Sequence, residues 1–362
     1  MSAMKAGVLH CPGAPIEIHT VSIDAPKGHE VLVRVAASGL CHSDWHFISG
    51  DLPFGGPRVL GHEVAGVVEA VGDDVARLRV GDPVVACASL FCGSCDQCVS
   101  GSSQRCVDRP RRGVGERARL MLGGDALIQS SEVGGFAEQI LVHENSLVAI
   151  PRDMPLDRAA LLGCSVVTGL GSVFNSAQVR AGQRVAVIGC GGVGLNVIQG
   201  AQIAGASRIV AVDLSPAKLE LARALGATDL IQGGPDAVEA VRDATGGVDH
   251  AIEVIGRAET IAQAIRMLRP GGMATIVGVA SGEARVPLPV QDMLRHEWRV
   301  QGALMGSSPF TRDIPAYAGM YLDGRLDLDL LVSERIALDE VNAGFARMLG
   351  GSVARSVIVF DS

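Results

Sequence analysis

Aromatic side chains are scarce in this 362-residue chain: 2 Trp, 2 Tyr and 8 Phe make up 3 % of it, so Val, Ala, Leu and Ile are expected to fill the interior. Charged residues are also few, at 19 %, yet 48 % of the chain is hydrophobic, which excludes a disordered polyelectrolyte. No long run of Lys or Arg occurs and the formal charge is −8, so no nucleic-acid partner is expected, because phosphate neutralisation needs a clustered basic face. The short piece Arg109-Pro110-Arg111-Arg112 reads as a solvated loop. No apolar stretch of signal-peptide length opens the sequence, which sets the expectation of a cytoplasmic protein with reduced thiols. The 23 uncharged residues between Arg184 and Arg208 are long enough to span a bilayer, but they hold six Gly, one Asn and two Gln and begin as a strand. No membrane partner is expected. There is neither an internal repeat nor a low-complexity segment.

The chain's length suits two domains. The first third shows short strands at Val31–Ala36, Val64–Val71 and Pro83–Ala86, broken by turns such as Val71-Gly-Asp-Asp and Val80-Gly-Asp-Pro. That texture predicts an antiparallel β-domain. From about residue 166 strands and helices alternate, which predicts a parallel sheet. The expected strands are 184–188, 208–212, 248–254 and 273–279, with helices at 192–204, 216–225 and 259–268. Beyond Gly302 the pattern loosens, and Ser356–Phe360 reads as a strand returning to the first domain.

The expected strand Val185–Ile188 runs into Gly189-Cys-Gly191-Gly192-Val193-Gly194 and then a helix. The first Gly permits the turn, the second lets a pyrophosphate approach the backbone, and the third lets helix and strand pack closely. The free N–H groups at the helix start then face the phosphates. Asp213 ends the next strand, nineteen residues after Gly194, where a carboxylate bonds both adenosine ribose hydroxyls and repels a 2′-phosphate. With no Arg directly after it, NAD is favoured over NADP. A glycine-rich structural turn is the alternative.

The nine Cys suggest metal before disulfide. Cys92, Cys95, Cys98 and Cys106 stand within fifteen residues and can close a tetrahedral zinc site with no exchangeable position. An iron–sulfur cluster or unliganded thiols are the competing readings; the seven residues before Cys106 and the Val after it depart from the bacterial ferredoxin run. A second set is scattered: Cys41-His42-Ser43-Asp44-Trp45-His46, then Gly61-His62-Glu63, then Gly163-Cys164. Singly these are ordinary core cysteines and histidines; two Cys and one His together would leave a zinc ion one position for water or substrate.

With Gly61-His62-Glu63-x-x-Gly66-x-Val68, the four-Cys spacing and Gly163-Cys164 ahead of the nucleotide turn, the sequence resembles the zinc-dependent medium-chain alcohol dehydrogenase family from about residue 5 to its end. The resemblance implies an α/β protein with a GroES-like antiparallel β catalytic domain at 1–165, its structural-zinc lobe at 92–106, and a Rossmann doubly wound parallel sheet at 166–304 binding NAD. Residues 305–362 would return to the catalytic domain. It implies two zinc ions per chain, one catalytic on Cys41, His62 and Cys164 and one structural on Cys92, Cys95, Cys98 and Cys106. Glu63 would be an acid able to approach the catalytic metal. Ser43 would accept the alcohol proton and pass it through the nicotinamide ribose to His46. His42 and Arg355 would contact pyrophosphate, Thr168 and Val193 the nicotinamide side, and Asp213 with Lys218 the adenosine ribose.

The implied activity is reversible oxidation of a primary, medium-chain or aryl-alkyl alcohol to an aldehyde, with hydride transfer to NAD. Trp45, Leu52, Ala88, Phe47 and Met305 suggest an apolar substrate pocket, with Ala88 where relatives often carry an aromatic. Leu52 stands where the glutathione-dependent formaldehyde dehydrogenase branch has an acid, and Cys164 where zinc-bearing polyol dehydrogenases usually have a carboxylate. A thiol-adduct formaldehyde dehydrogenase or a carbonyl reductase is the alternative within the family, and a non-catalytic NAD-binding zinc scaffold the alternative outside it. Segment 107–133 exceeds its length in compact tetrameric relatives, so a homodimer is expected, with a homotetramer as the alternative.

Overall fold

The computed structural model describes residues 2–113, 116–351 and 353–361. The chain divides into two compact units, one of Met1–Cys164, Pro309–Gly324 and Val332–Ser362 and one of Ser165–Ser308 and Arg325–Leu331. The return to the first unit therefore comes later than residue 305 and is interrupted. The cause is local. Gln199 donates to Asp327 O (3.0 Å) and accepts from Asp327 N–H (2.7 Å), and Leu326, Leu328 and Leu331 are buried, which fastens 325–331 to the second unit.

Within the first unit a closed barrel runs in the order Ser2–Leu9, Glu17–Ile23, Leu120–Leu122, Asp125–Gln129, Arg58–Val59. A second sheet runs Leu147–Ala149, Pro83–Ala86, Glu63–Val71, Glu30–Gly39, Arg355–Val359, Val332–Ile336, with Gln139–His143 also paired to Glu30–Gly39. Alternation in Val31-Leu-Val-Arg-Val sets Val31, Val33 and Val35 on one buried face with Val64 and Val68 of the neighbouring strand. The barrel core is mostly aliphatic as expected, but it takes in two of the few aromatics, Phe136 and Phe345, with ring centroids 6.0 Å apart.

Arg112 is not the solvated residue its loop suggested. Its guanidinium donates to Glu30 (2.8 and 2.6 Å), Asp24 (2.9 Å) and Arg117 O (2.7 Å), and Arg119 donates to Glu30 at 2.8 Å. These bonds tie the 107–133 segment, of which Val114 and Gly115 lie outside the described residues, to the start of the Glu30–Gly39 strand. Burial pushes the Glu30 carboxyl up, but the two guanidiniums outweigh it and hold its pKa below the ordinary 4.5. A depressed folded pKa contributes stability that is complete above the unfolded value and is lost as pH falls through the folded one. Glu30→Gln is therefore expected to cost roughly 2–3 kcal/mol at neutral pH, less than a fully enclosed pair. Its thermal midpoint should also fall less steeply than the wild type's below pH 4.5; parallel midpoint curves across that range would refute this.

The second unit is a six-stranded parallel sheet in the order Asp229–Gln232, Arg208–Asp213, Arg184–Ile188, Val248–Glu253, Leu268–Ile276, Arg299–Gly302. Its strand order reverses between Arg184–Ile188 and Val248–Glu253, the place where doubly wound sheets bind ligands. Strand Arg184–Ile188 and helix Gly192–Ile203 divide the uncharged 184–208 window between them. Among the described residues one helical run, Leu156–Ala177, is long and apolar enough to cross a membrane by length and composition, and 83 % of its apolar window is buried in the protein.

Candidate active site and metal centres

The scattered cysteine–histidine set converges. Cys41 caps the N-terminus of helix His42–Ser49, His62 sits in the loop leading into strand Glu63–Val71, and Cys164 lies on the π-helical turn Leu162–Val166. Their donor atoms lie within 4.8 Å of one another and all three residues are buried. Gly163 makes the approach of Cys164 feasible, because a Cβ there would stand 2.2 Å from the Ala86 carbonyl of the adjacent strand. Cys164 donates to Cys41, and that bond, with the Arg355 guanidinium and His62 nearby, holds the Cys41 thiol well below its usual range despite burial. Two sulfurs and an imidazole at this spacing suit zinc.

Asp44, which stood unassigned inside the motif, is 1 % exposed and organises the site. Its Oδ1 receives the Gly61 N–H (3.0 Å) and lies 3.1 Å from His62 Nδ1. An imidazole that donates from Nδ1 to a carboxylate offers Nε2 to a metal, with fixed orientation and added basicity. Asp44→Asn is expected to weaken metal retention about 10- to 100-fold, read as zinc loss against a chelator; retention equal to the wild type's would contradict this. Glu63 is fully buried, and burial raises its carboxyl to about 7. Arg355 was expected at pyrophosphate. Its guanidinium, 4 % exposed, also stands beside Glu63 (3.3 Å), Leu40 O (3.4 Å) and Cys41 Sγ (3.9 Å), and gives the buried Glu63 carboxylate a counter-charge.

Ser43 and His46, three apart on helix His42–Ser49, share one helix side. The Ser43 hydroxyl is 3.7 Å from Cys41 Sγ. His46 Nδ1 is 3.1 Å from Asp51 Oδ2, and Ser49 donates to that same oxygen at 2.6 Å. Asp51 was not anticipated as a partner; Ser49 and His46 lower its pKa. His42 is exposed at the helix start. Of the expected pocket residues, Leu52 and Ala88 are half-buried, and the Leu52 N–H donates to His46 O at 3.0 Å. Trp45 and Phe47, partly buried, pack against the barrel core, Trp45 with its ring 6.1 Å from that of Phe345.

Cys92, Cys95, Cys98 and Cys106 likewise hold their sulfurs within 4.8 Å of one another. Sulfur pairs stand 3.8 Å (Cys92–Cys98), 3.5 Å (Cys95–Cys98) and 3.9 Å (Cys95–Cys106) apart. Tetrahedral zinc at about 2.3 Å from each sulfur separates them by about 3.8 Å, so the residues fit the ion. All nine cysteines are free thiols. N–H groups of Ser94 and Cys95 point at Cys92 Sγ (3.4 and 3.2 Å) and bring its thiol down to about 6.

In the second unit, strand Arg184–Ile188 leads through Gly189–Gly191 into helix Gly192–Ile203. A Cβ on Gly194 would stand 1.8 Å from Gly189 O, so only glycine closes the turn. Asp213 ends its strand with both carboxylate oxygens engaged, by Cys190 N–H (2.7 Å) and Ser215 N–H (2.9 Å), which fixes its charge beside the turn. Thr168 is buried and donates to Met305 Sδ at 3.8 Å; Val193 and Lys218 are half-buried near the starts of their helices.

Comparison with known proteins is consistent along the whole chain. S-(hydroxymethyl)glutathione dehydrogenase of Photobacterium damsela subsp. piscicida is 37 % identical over 366 residues, 98 % of this chain and 99 % of the relative. The family model described as alcohol dehydrogenase GroES-like domain matches residues 27–152, and that of zinc-binding dehydrogenase matches residues 192–321. The chain belongs to the zinc-dependent medium-chain alcohol dehydrogenase family. It is an oxidoreductase of that family, with the GroES-like and Rossmann-type domains the resemblance implied. Solved relatives include an alcohol dehydrogenase zinc-binding domain protein from Burkholderia ambifaria (TM-score 0.95, 35 % identity) and benzyl alcohol dehydrogenase from Acinetobacter calcoaceticus (0.94, 32 %), each matched over 100 % of both chains. For an alcohol dehydrogenase of this kind the two donor sets match two zinc ions, and the glycine turn with Asp213 matches a nicotinamide dinucleotide.

Proposed function

We propose that this alcohol dehydrogenase oxidises primary alcohols, medium-chain or aryl-alkyl, to aldehydes with NAD, and runs in reverse on the aldehydes. The observation that carries the reading is a buried donor set that, among the described residues, stops at three: Cys41, His62 and Cys164, with the neighbouring acid Glu63 engaged by Arg355. Three protein ligands leave zinc one position for a substrate oxygen. When bound, zinc supplies Lewis acidity that acidifies an alcohol, and NAD supplies the hydride acceptor.

The chain's own residues do the rest. Cys41, Cys164 and His62, oriented by Asp44, hold the ion. Ser43 takes the alcohol proton and His46 carries it to solvent, with Asp51 and Ser49 steadying the imidazole. Asp213 holds the adenosine ribose and disfavours a 2′-phosphate. Leu52 and Ala88 leave the substrate side apolar. Ser43→Ala is expected to slow alcohol oxidation by about 100-fold while NAD affinity changes little. His46→Gln should be slowed and partly rescued by added buffer bases; absence of rescue at every buffer concentration would count against the relay.

The relatives named S-(hydroxymethyl)glutathione dehydrogenase support a second reading, in which the substrate is the adduct of formaldehyde with a thiol. Against it, residue 52 is Leu and the adjacent Asp51 is occupied by His46 and Ser49. A panel of alcohols, aldehydes and formaldehyde with glutathione, read as NADH or NADPH absorbance, decides the matter. Benzyl or medium-chain alcohols with NAD should give the highest kcat/KM. Preference for the glutathione adduct would replace the proposed substrate, and preference for NADP would overturn the role of Asp213.

A further inference from the structure

A third convergence of metal donors lies in the first unit and shares no residue with either cysteine set. His10 directly follows strand Ser2–Leu9, and Glu17 and His19 stand two apart on strand Glu17–Ile23, so they share a face. The Nε2 atoms of His10 and His19 are 3.0 Å apart, and Glu17 Oε2 is 3.2 Å from His19 and 3.7 Å from His10. The imidazole rings meet edge to face at 85°. The three side chains are 37, 57 and 31 % exposed in chain order, so an ion could enter from solvent.

The three separations describe a triangle whose corners all lie about 1.9 Å from its centre, and zinc takes imidazole nitrogen at about 2.0–2.1 Å and carboxylate oxygen at about 2.0–2.2 Å. An ion standing slightly out of that plane therefore lies at coordination distance from all three donor atoms. The scaffold beneath is fixed from both sides. The strands pair with Val8 opposite Glu17 and Ala6 opposite His19. The loop between them is held by Ile16 N–H to Asn342 Oδ1 (2.9 Å), Asn342 Nδ2 to Ile16 O (2.8 Å) and Gly13 N–H to Ile48 O (2.7 Å). The backbone that carries the three donors is therefore held in place on both strands and in the loop between them.

We propose that His10, Glu17 and His19 form a third metal site, open to solvent, that binds a divalent transition ion of the zinc type, with water completing the coordination. Two imidazoles and a carboxylate without thiolate suit zinc, copper(II) and nickel(II), and water in the remaining positions makes the ion exchangeable. Both rings coordinate through an unprotonated Nε2, so the ring whose Nε2–H donates in the free pair gives up that hydrogen and takes one on Nδ1, and both imidazoles stay neutral. The ion would clip the end of one barrel strand to the next, at the loop bonded to the helix that carries Ser43 and His46.

The test uses the untagged, full-length chain with its resident metal, equilibrated with zinc up to roughly 100 μM free ion and counted per chain. The wild type should take up one zinc more than it retains on dialysis, and its thermal midpoint should rise with zinc. His10→Gln and His19→Gln should each weaken that uptake at least about tenfold and abolish the rise in midpoint. Cys11→Ser, which removes the exposed thiol beside His10, should change neither. No additional zinc in the wild type, or uptake undiminished in both histidine variants, overturns the proposal, as does uptake lost only with Cys11.

Discussion

His62→Ala is expected to abolish alcohol-dependent NADH formation, with kcat/KM down by at least about a thousandfold, or roughly 4 kcal/mol of transition-state stabilisation. The zinc count should fall by one while NAD affinity stays within about threefold. The substitution removes one of three donors and strips Asp44 Oδ1 of its imidazole, leaving it the Gly61 N–H. The glycine turn and Asp213 belong to the other compact unit, so cofactor binding should survive. His62→Cys restores a donor of different charge and should recover metal but little turnover, which separates loss of the ion from loss of the fold. Turnover unchanged in His62→Ala would remove the metal from the reaction.

Cys95→Ser is expected to release the other zinc and to lower the thermal midpoint by roughly 10 °C. The lobe has almost no core of its own. Helix Asp96–Val99 buries none of its residues, and Val99 and Val107 are 75 and 80 % exposed. Where apolar burial is this small, metal binding is the folding energy. Limited proteolysis should cut within 92–106 in the variant before it cuts the wild type. An unchanged zinc count together with an unchanged cleavage pattern would show that the four thiols do not hold a structural ion.

Legibility in the sequence followed the range of the interactions. The glycine turn, its strand Arg184–Ile188 and its helix were readable because each Gly answers a contact within a few residues, as Gly194 does with Gly189 O. The four-Cys lobe was readable for the same reason. Strand Asp229–Gln232 escaped because no residue in it is fully buried, so no alternation marks it, and strand Arg299–Gly302 is four residues long and also unburied. Helix Ala237–Thr245 buries Val238 and Val241 but follows Gly233-Gly234-Pro235, which reads as loop.

The scattered donor set is harder. Cys41, His62 and Cys164 come from three segments, and spacing alone gives each an ordinary core reading. Resemblance joined them, and the buried geometry agrees with it. What neither supplied was the support. Asp44 acts only once the Gly61-His62 loop docks on its helix, and Arg355 meets Glu63 across 292 positions of sequence. The contact of Trp45 with Phe345 joins residues 300 positions apart, beyond any local pattern. Arg112 reads as solvated until Glu30 and Asp24 are placed against it.

In the proposed mechanism two sulfurs and one imidazole hold a metal with one exchangeable position. Replacing the zinc on Cys41, His62 and Cys164 with cobalt(II) and recording its visible spectrum tests it most directly. Intense tetrahedral bands with sulfur-to-metal charge transfer are expected, shifting when a primary alcohol is added with NAD. Weak octahedral bands, or a tetrahedral spectrum indifferent to alcohol, would contradict it.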